Sequence, residues 1–119
     1  MLTLQQLGEI LQQKQKHKED FMFKADHYSV NVRFKDQIYI HIVLESLSLY
    51  PRQERNSRLL NYVHQNTGIL GYMSSTLAYT KSSDVVVQQY LDRYSSVDYI
   101  LHAIDYLLQH ADILTYSKY

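Results

Sequence analysis

The C-terminal half of the chain constrains the fold most, because it combines a hairpin pattern with a strongly amphipathic helix. Side chains alternate over residues 71–79, and the β-branched and aromatic content of residues 85–91 predicts a returning strand. Short polar side chains at 81–84 supply the turn between them. A helix beginning at Ser95 or Ser96 follows, because apolar residues recur there at helical spacing. They are Val97, Leu101, Ile104, Leu108 and Ala111, and Ile100 and Leu107 widen this apolar stripe.

The N-terminal half predicts a helix followed by three strands. Thr3 and Gln6 have the spacing of a capping box, and the apolar residues after them predict a helix over residues 4–16. Alternating apolar residues predict strands over 21–24, 28–34 and 38–44. Because one side of these strands is apolar and the other polar, we expect an antiparallel sheet covered on one face.

A middle helix is predicted over residues 53–65, and Gly68 follows as a stop signal. The element order is therefore α-β-β-β-α-β-β-α. This order predicts the α+β class, with an antiparallel sheet of about five strands and three helices. The 119 residues are expected to form a single domain, 1–119.

Composition excludes several function classes. Twelve basic and twelve acidic residues give a net charge of zero, which offers no general attraction to nucleic acid or to an anionic membrane. The absence of cysteine excludes disulfides, thiol catalysis and cysteine-based zinc sites. No signal peptide or membrane-spanning run is predicted. A reducing cytoplasm is the simplest compartment for a chain without cysteine. The twelve tyrosines suit either protein interfaces or ordinary strand positions.

No pattern of residues in the sequence predicts a catalytic, metal-binding or phosphate-binding site. Asp98, His102 and Asp105 have helical spacing that could align them toward a cation. A solvated polar face with local charge pairs is the simpler explanation, so no metal is expected. Neither a nucleophile elbow nor a glycine-rich phosphate loop occurs. We therefore predict no catalytic residue, no cofactor and no enzyme activity.

The basic residues also have two readings. Residues 14–18 suit the negative end of a helix dipole, and they could instead form a small anion-binding patch. Arg52, Arg55 and Arg58 lie near the start of the middle helix, but no aromatic platform for nucleic acid accompanies them. Nucleic acid is thus not an expected partner.

Protein binding remains as the expected activity. A sheet edge can accept an added strand, and Phe21, Phe23 and Tyr39 could supply aromatic contacts there, although both phenylalanines could equally be core residues. The strand 75–79, the polar turn, the aliphatic strand from Val85 and the helix 97–114 resemble the C-terminal part of the class I type III secretion chaperones. The element order resembles that family over nearly the whole chain.

This resemblance implies a cytoplasmic, virulence-associated chaperone, which acts as a homodimer or as a heterodimer with a similar chaperone. It implies binding of the N-terminal segment of a secreted effector or gatekeeper-type substrate, the client, without nucleotide. The neutral net charge leaves room for a chaperone dedicated to one such client. The alternative is a regulatory adaptor with the same scaffold and no secreted client. Client contacts are expected at Leu4, Phe21, Phe23, Tyr39 and Val43, and dimer contacts at Leu59, Tyr62, Val63, Tyr72 and Met73.

Overall fold

The structure, a computed structural model, describes residues 2–44, 51, 53–57, 75–79 and 85–116, with the backbone alone described at 75–79. The chain order confirms the predicted α+β class. The elements are the N-terminal helix (Leu4–His17), strands β1 (Phe21–Ala25), β2 (Tyr28–Phe34), β3 (Ile38–Val43), β4 (Ser75–Tyr79) and β5 (Val85–Leu91), and the C-terminal helix (Val97–Tyr116). Of the predicted middle helix, residues 53–57 are described and are helical, and the remainder lies outside the described residues.

The five strands form one antiparallel sheet in the order β1-β2-β3-β5-β4. The register keeps apolar residues opposite one another, as in the row Phe23, Val30, Ile42 and Val87. Because successive side chains of a strand point to opposite faces, this register gives the sheet one apolar face. That face carries most of the buried residues of the sheet.

The two helices cover the apolar face and complete the core. Leu7 and Leu11 of the N-terminal helix are buried there. The buried side of the C-terminal helix lies toward Ile100 and Leu107 within the predicted stripe, since Val97, Leu101 and Leu108 are only partly buried. The reason is that this helix has two neighbours, the sheet and the N-terminal helix. Its buried residues are Ile100, Ala103, Ile104, Leu107, His110, Ala111 and Leu114.

Hydrogen bonds hold the end of the C-terminal helix against the first hairpin. The Tyr28 hydroxyl lies 2.9 Å from Oδ1 of Asp112, to which it donates, and 3.1 Å from Oγ1 of Thr115. Burial, as the largest cause, raises the pKa of Tyr28 to about 12, so this hydroxyl stays protonated at neutral pH. One residue earlier in the hairpin, Nε2 of His27 lies 2.9 Å from the Tyr116 hydroxyl.

Gly8 lies inside the N-terminal helix where that helix approaches the C-terminal helix. A Cβ atom at this position would lie 3.7 Å from Cδ1 of Leu101 and 3.8 Å from Cγ1 of Val97, which are ordinary contact distances. We therefore predict that Gly8→Ala raises the free energy of unfolding by about 0.5–1 kcal/mol, because alanine has the better helix propensity. Urea denaturation followed by circular dichroism measures this, and a lower unfolding free energy would contradict it.

One buried histidine, His110, and one half-buried histidine, His41, make stability depend on pH. His110 is 2% exposed and packs edge-on against Tyr106, with 4.4 Å between ring centroids. Burial lowers the pKa of His110 below its ordinary value of 6.5. Burial, followed by the charge of Arg33, also lowers the pKa of His41, whose Nδ1 atom has no hydrogen-bond partner in the described part of the chain.

Because the pKa of both imidazoles is lower in the fold than in the unfolded chain, the unfolded chain takes up protons more readily below pH 6.5. We expect the free energy of unfolding to be highest above pH 6.5 and to fall as the pH drops toward 5. Urea titrations at successive pH values measure the slope, and His110→Gln should reduce it. His102→Gln, at an exposed position of the same helix, is the matched control. An unchanged slope in His110→Gln would contradict the assignment of the pH dependence to His110.

Candidate functional site

A groove of about 260 Å³ opens beside the start of the N-terminal helix. We call it the apolar groove. Its walls come from the first residues of that helix, from the end of β1 and from the middle of the C-terminal helix, and most are hydrophobic. The lining residues are Leu2, Thr3, Leu4, Leu7, Phe23, Lys24, Ala25, Asp26, Leu101, Ile104, Asp105 and Leu108.

The capping box at the start of the N-terminal helix places Leu4 at the rim of this groove. The Gln6 amide donates to Oγ1 of Thr3 at 3.1 Å, and the Thr3 amide donates to Oε1 of Gln6 at 2.9 Å, as the sequence predicts. The helix therefore begins at Leu4, one turn before the first core residue, Leu7. Leu4 is left 72% exposed and available for a partner, whereas Leu7 and Leu11 are buried.

Strand β1 borders the groove and forms one edge of the sheet. It pairs with β2 alone, so within the described residues its outer backbone groups have no strand partner. Phe21 and Phe23 lie toward the helices and stack with 5.7 Å between ring centroids. Met22 points to the other face and is 62% exposed. An edge strand beside an apolar groove can take an added strand, with backbone hydrogen bonds along the edge and side chains in the groove.

The remaining client-contact residues from the sequence prediction lie on the opposite face of the sheet. Tyr39 and Val43 are half-buried there. The Tyr39 ring packs between His41 and Tyr90, at centroid distances of 5.0 Å and 4.7 Å, and its hydroxyl donates to Oε1 of Gln88 at 2.5 Å. Burial, followed by the neighbouring Tyr90, raises the pKa of Tyr39.

The structure thus divides the predicted client residues between two surfaces. It brings Leu4 and Phe23 together in one groove, with Phe21 stacked on Phe23, and it separates them from Tyr39 and Val43. The residues predicted for the dimer contact lie outside the described residues. They are Leu59, Tyr62, Val63, Tyr72 and Met73.

Sequence reasoning missed two walls of the groove, Leu101 and Leu108, because it assigned both to the stripe facing the core. A usable signal was present in the width of that stripe. Apolar residues at Ile100 and Leu107 beside the predicted positions make it broader than one packing contact requires. The extra width arises because the C-terminal helix packs against both the sheet and the N-terminal helix, and the groove opens where the contact with the N-terminal helix ends.

Neither metal binding nor membrane crossing has support in the described residues. Asp98, His102 and Asp105 are all exposed on the C-terminal helix. Across residues 2–44, 51, 53–57, 75–79 and 85–116, no three acidic or histidine side chains converge as metal ligands would. Over the same residues, neither helix combines the length and apolar character needed to cross a bilayer.

Comparison with known proteins identifies the fold. No family model matches the chain, and no curated protein sequence matches it. A chain in the crystal structure of the ExsC–ExsE complex matches with a TM-score of 0.62 and 8% identity, covering 83% of this chain and 75% of that one. A chain in the structure of the HopA1–SchA chaperone–effector complex matches with a TM-score of 0.61 and 16% identity, covering 81% and 74%. The chain therefore has a class I type III secretion chaperone-like fold, as its sequence predicted.

Proposed function

We propose that this protein is a non-enzymatic secretion chaperone. In this proposal it binds the N-terminal segment of a type III secreted effector or gatekeeper-type substrate in the bacterial cytoplasm and keeps that client competent for secretion. The observation that carries the proposal is the fold, which matches a chain of a chaperone–effector complex over 81% of the present chain. The apolar groove and the outer edge of β1, which has no strand partner among the described residues, add a surface suited to an extended polypeptide.

Binding would follow from two kinds of contact. Backbone hydrogen bonds to the edge of β1 hold a segment extended with little dependence on its sequence. Apolar side chains of the segment then fill the groove against Leu4, Phe23 and Leu108, and each fully buried one contributes roughly 1.5–3 kcal/mol. Because these contacts need an unfolded segment, the bound region is kept extended, and no nucleotide takes part.

Tyr39 and Val43 support a second contact, on the other face of the sheet. A client segment that continues past the edge strand can reach this face, where half-buried aromatic rings would receive it. The two surfaces together would let one client wrap around the sheet edge. On this proposal Leu4 and Phe23 bind one part of the client, and Tyr39 and Val43 bind another.

We further propose that the chaperone is paired, as a homodimer or as a heterodimer with a similar chaperone. The zero net charge is consistent with this, because it provides little repulsion between copies. The proposed contact comprises residues outside the described part of the chain: Leu59, Tyr62, Val63, Tyr72 and Met73.

The decisive experiment is affinity purification from the native cells, with mass spectrometry of the bound chains and light scattering for the molar mass. We expect a dimer bound to the N-terminal region of one larger secreted protein. Deleting that region from the client should abolish the complex, whereas deleting an equal length from its C-terminus should not. Capture of a folded partner, with no dependence on the N-terminal segment and no effect on secretion, would favour a regulatory adaptor and contradict the proposal.

A further inference from the structure

A second cavity, of about 420 Å³, lies between the end of the N-terminal helix, the turn from β2 to β3 and the segment before the C-terminal helix. We call it the cationic pocket, because Lys18, Lys35 and Arg93 line it and no acidic residue in the described part of the chain does. The rest of its lining is apolar, aromatic or uncharged. Those residues are Gln15, Phe34, Ile38, Tyr94, Ser95 and Ser96.

Hydrogen bonds fix the backbone segments that carry Lys18 and Arg93 around the opening. Lys18 caps the N-terminal helix in the left-handed conformation, with φ of 54°, and its amide donates to the carbonyls of Gln15 and Lys14. The Gln15 side chain donates to the Ser95 carbonyl at 2.8 Å and more weakly to that of Arg93 at 3.4 Å. These bonds attach the segment before the C-terminal helix to the end of the N-terminal helix, so the pocket is preformed.

The positive charge of the pocket is not neutralised within the described residues. The described ion pair of this region joins Lys14 to Glu19, and it leaves Lys18, Lys35 and Arg93 without a carboxylate partner. Asp92 is close in sequence, but its Oδ1 accepts the Tyr94 amide and it does not line the pocket. The Arg93 guanidinium lies 4.7 Å from the Tyr94 ring, a cation–π contact that leaves its N–H donors available.

We infer that the cationic pocket binds a carboxylate side chain, Asp or Glu, of a bound polypeptide. This inference rests on the proposed function and adds the chemistry of the client segment to it. Three cations supply charge-assisted hydrogen bonds to a carboxylate. The ring of Tyr94, which is 78% exposed, can pack against the methylene groups of an Asp or Glu side chain. A free inorganic anion has no such groups, so this contact favours a peptide carboxylate.

The position of the pocket relative to the apolar groove adds a spacing rule. Leu4 lines the groove and Gln15 lines the pocket, so the two openings lie eleven residues apart on one helix, or about 16 Å. An extended chain covers that distance in about five residues. A client segment that fills both openings therefore carries its acidic residue about five positions from its apolar one.

Two six-residue peptides test this inference by NMR titration of the ¹⁵N-labelled chain. Acetyl-Leu-Ser-Ser-Ser-Ser-Glu-amide has the required spacing, and the control peptide ends in Gln instead. We expect the Glu peptide to shift the amide signals of Lys18, Lys35 and Arg93, and the Gln peptide to leave them unchanged. Lys35→Glu should weaken binding of the Glu peptide at least tenfold. Lys16→Glu, an exposed helix position with the same change of charge, should alter it less than twofold.

The possible outcomes are distinguishable. Equal shifts from both peptides, no shift from either, or equal losses in the two variants would overturn the inference. So would a titration in which inorganic phosphate shifts these amides and the Glu peptide does not, because the pocket would then take free anions. The amide spectrum of each variant reports whether it has folded. Failure of the proposed function appears separately, as the absence of a secreted client in the affinity purification.

Discussion

Leu4→Asp is expected to weaken client binding by this chain strongly without unfolding it. Leu4 is 72% exposed at the rim of the apolar groove, so its loss removes little from the core. A carboxylate there would have to be desolvated when a client side chain enters the groove, and burying an unpaired charge is strongly unfavourable. We expect binding to fall at least thirtyfold, which corresponds to about 2 kcal/mol, the usual threshold for a dominant interface residue.

Gln5→Asp is the matched control for this prediction. Gln5 is exposed on the next position of the same helix and does not line the groove. Both substitutions place an acid in the first helical turn, where the helix dipole favours it, so neither should weaken the helix. Calorimetric titration with the client segment identified in the affinity purification gives both affinities. Equal affinities for the two variants would show that the apolar groove is not the client site.

Leu107→Ala is expected to lower the free energy of unfolding by about 3 kcal/mol. The Leu107 side chain is fully buried at the centre of the C-terminal helix, in the core that this helix forms with the sheet. Truncation removes buried apolar surface and leaves a cavity that rigid strands on one side cannot fill, and such changes cost 2–5 kcal/mol. Because small domains have stabilities of about 5–15 kcal/mol, this is a large fraction of the total.

Leu107→Met serves as the control, since it nearly conserves the volume of the side chain and should cost less than about 1.5 kcal/mol. Urea denaturation followed by circular dichroism measures both variants. A loss below about 1 kcal/mol in Leu107→Ala would contradict the close packing of the C-terminal helix on the sheet. The same experiment on Leu108→Ala, at a half-buried wall of the groove, should give a smaller loss.

Several parts of the fold were predictable from the sequence, because short-range effects produce them. The capping box at Thr3 and Gln6 begins the N-terminal helix where predicted. The alternation from Tyr28 to Phe34 gives β2 its predicted bounds and its predicted buried side. In these cases the signal lies within a few residues, since a helix cap or a strand face depends on neighbours along the chain.

The candidate site was only partly predictable. Leu4 and Phe23 were predicted as client contacts, and the structure places them in one groove, although their role remains a prediction. Sequence reasoning did not separate them from Tyr39, which lies on the other face of the sheet. It also assigned Leu108 to the core side of the C-terminal helix. These differences arise because an apolar residue can pack against either of two neighbouring elements, and the periodicity of the sequence does not identify which element it contacts.

By itself, the sequence determined the order and type of the described elements, the absence of cysteine chemistry and the zero net charge. Only the tertiary structure decided that β3 lies beside β5, that the first helix leaves Leu4 at the rim of a groove, and that Lys18, Lys35 and Arg93 surround one cavity. The physical reason is the range of the interactions. Caps and strand alternation depend on adjacent residues, whereas strand neighbours and pockets are formed by segments that are far apart in the chain and meet only when the core is packed.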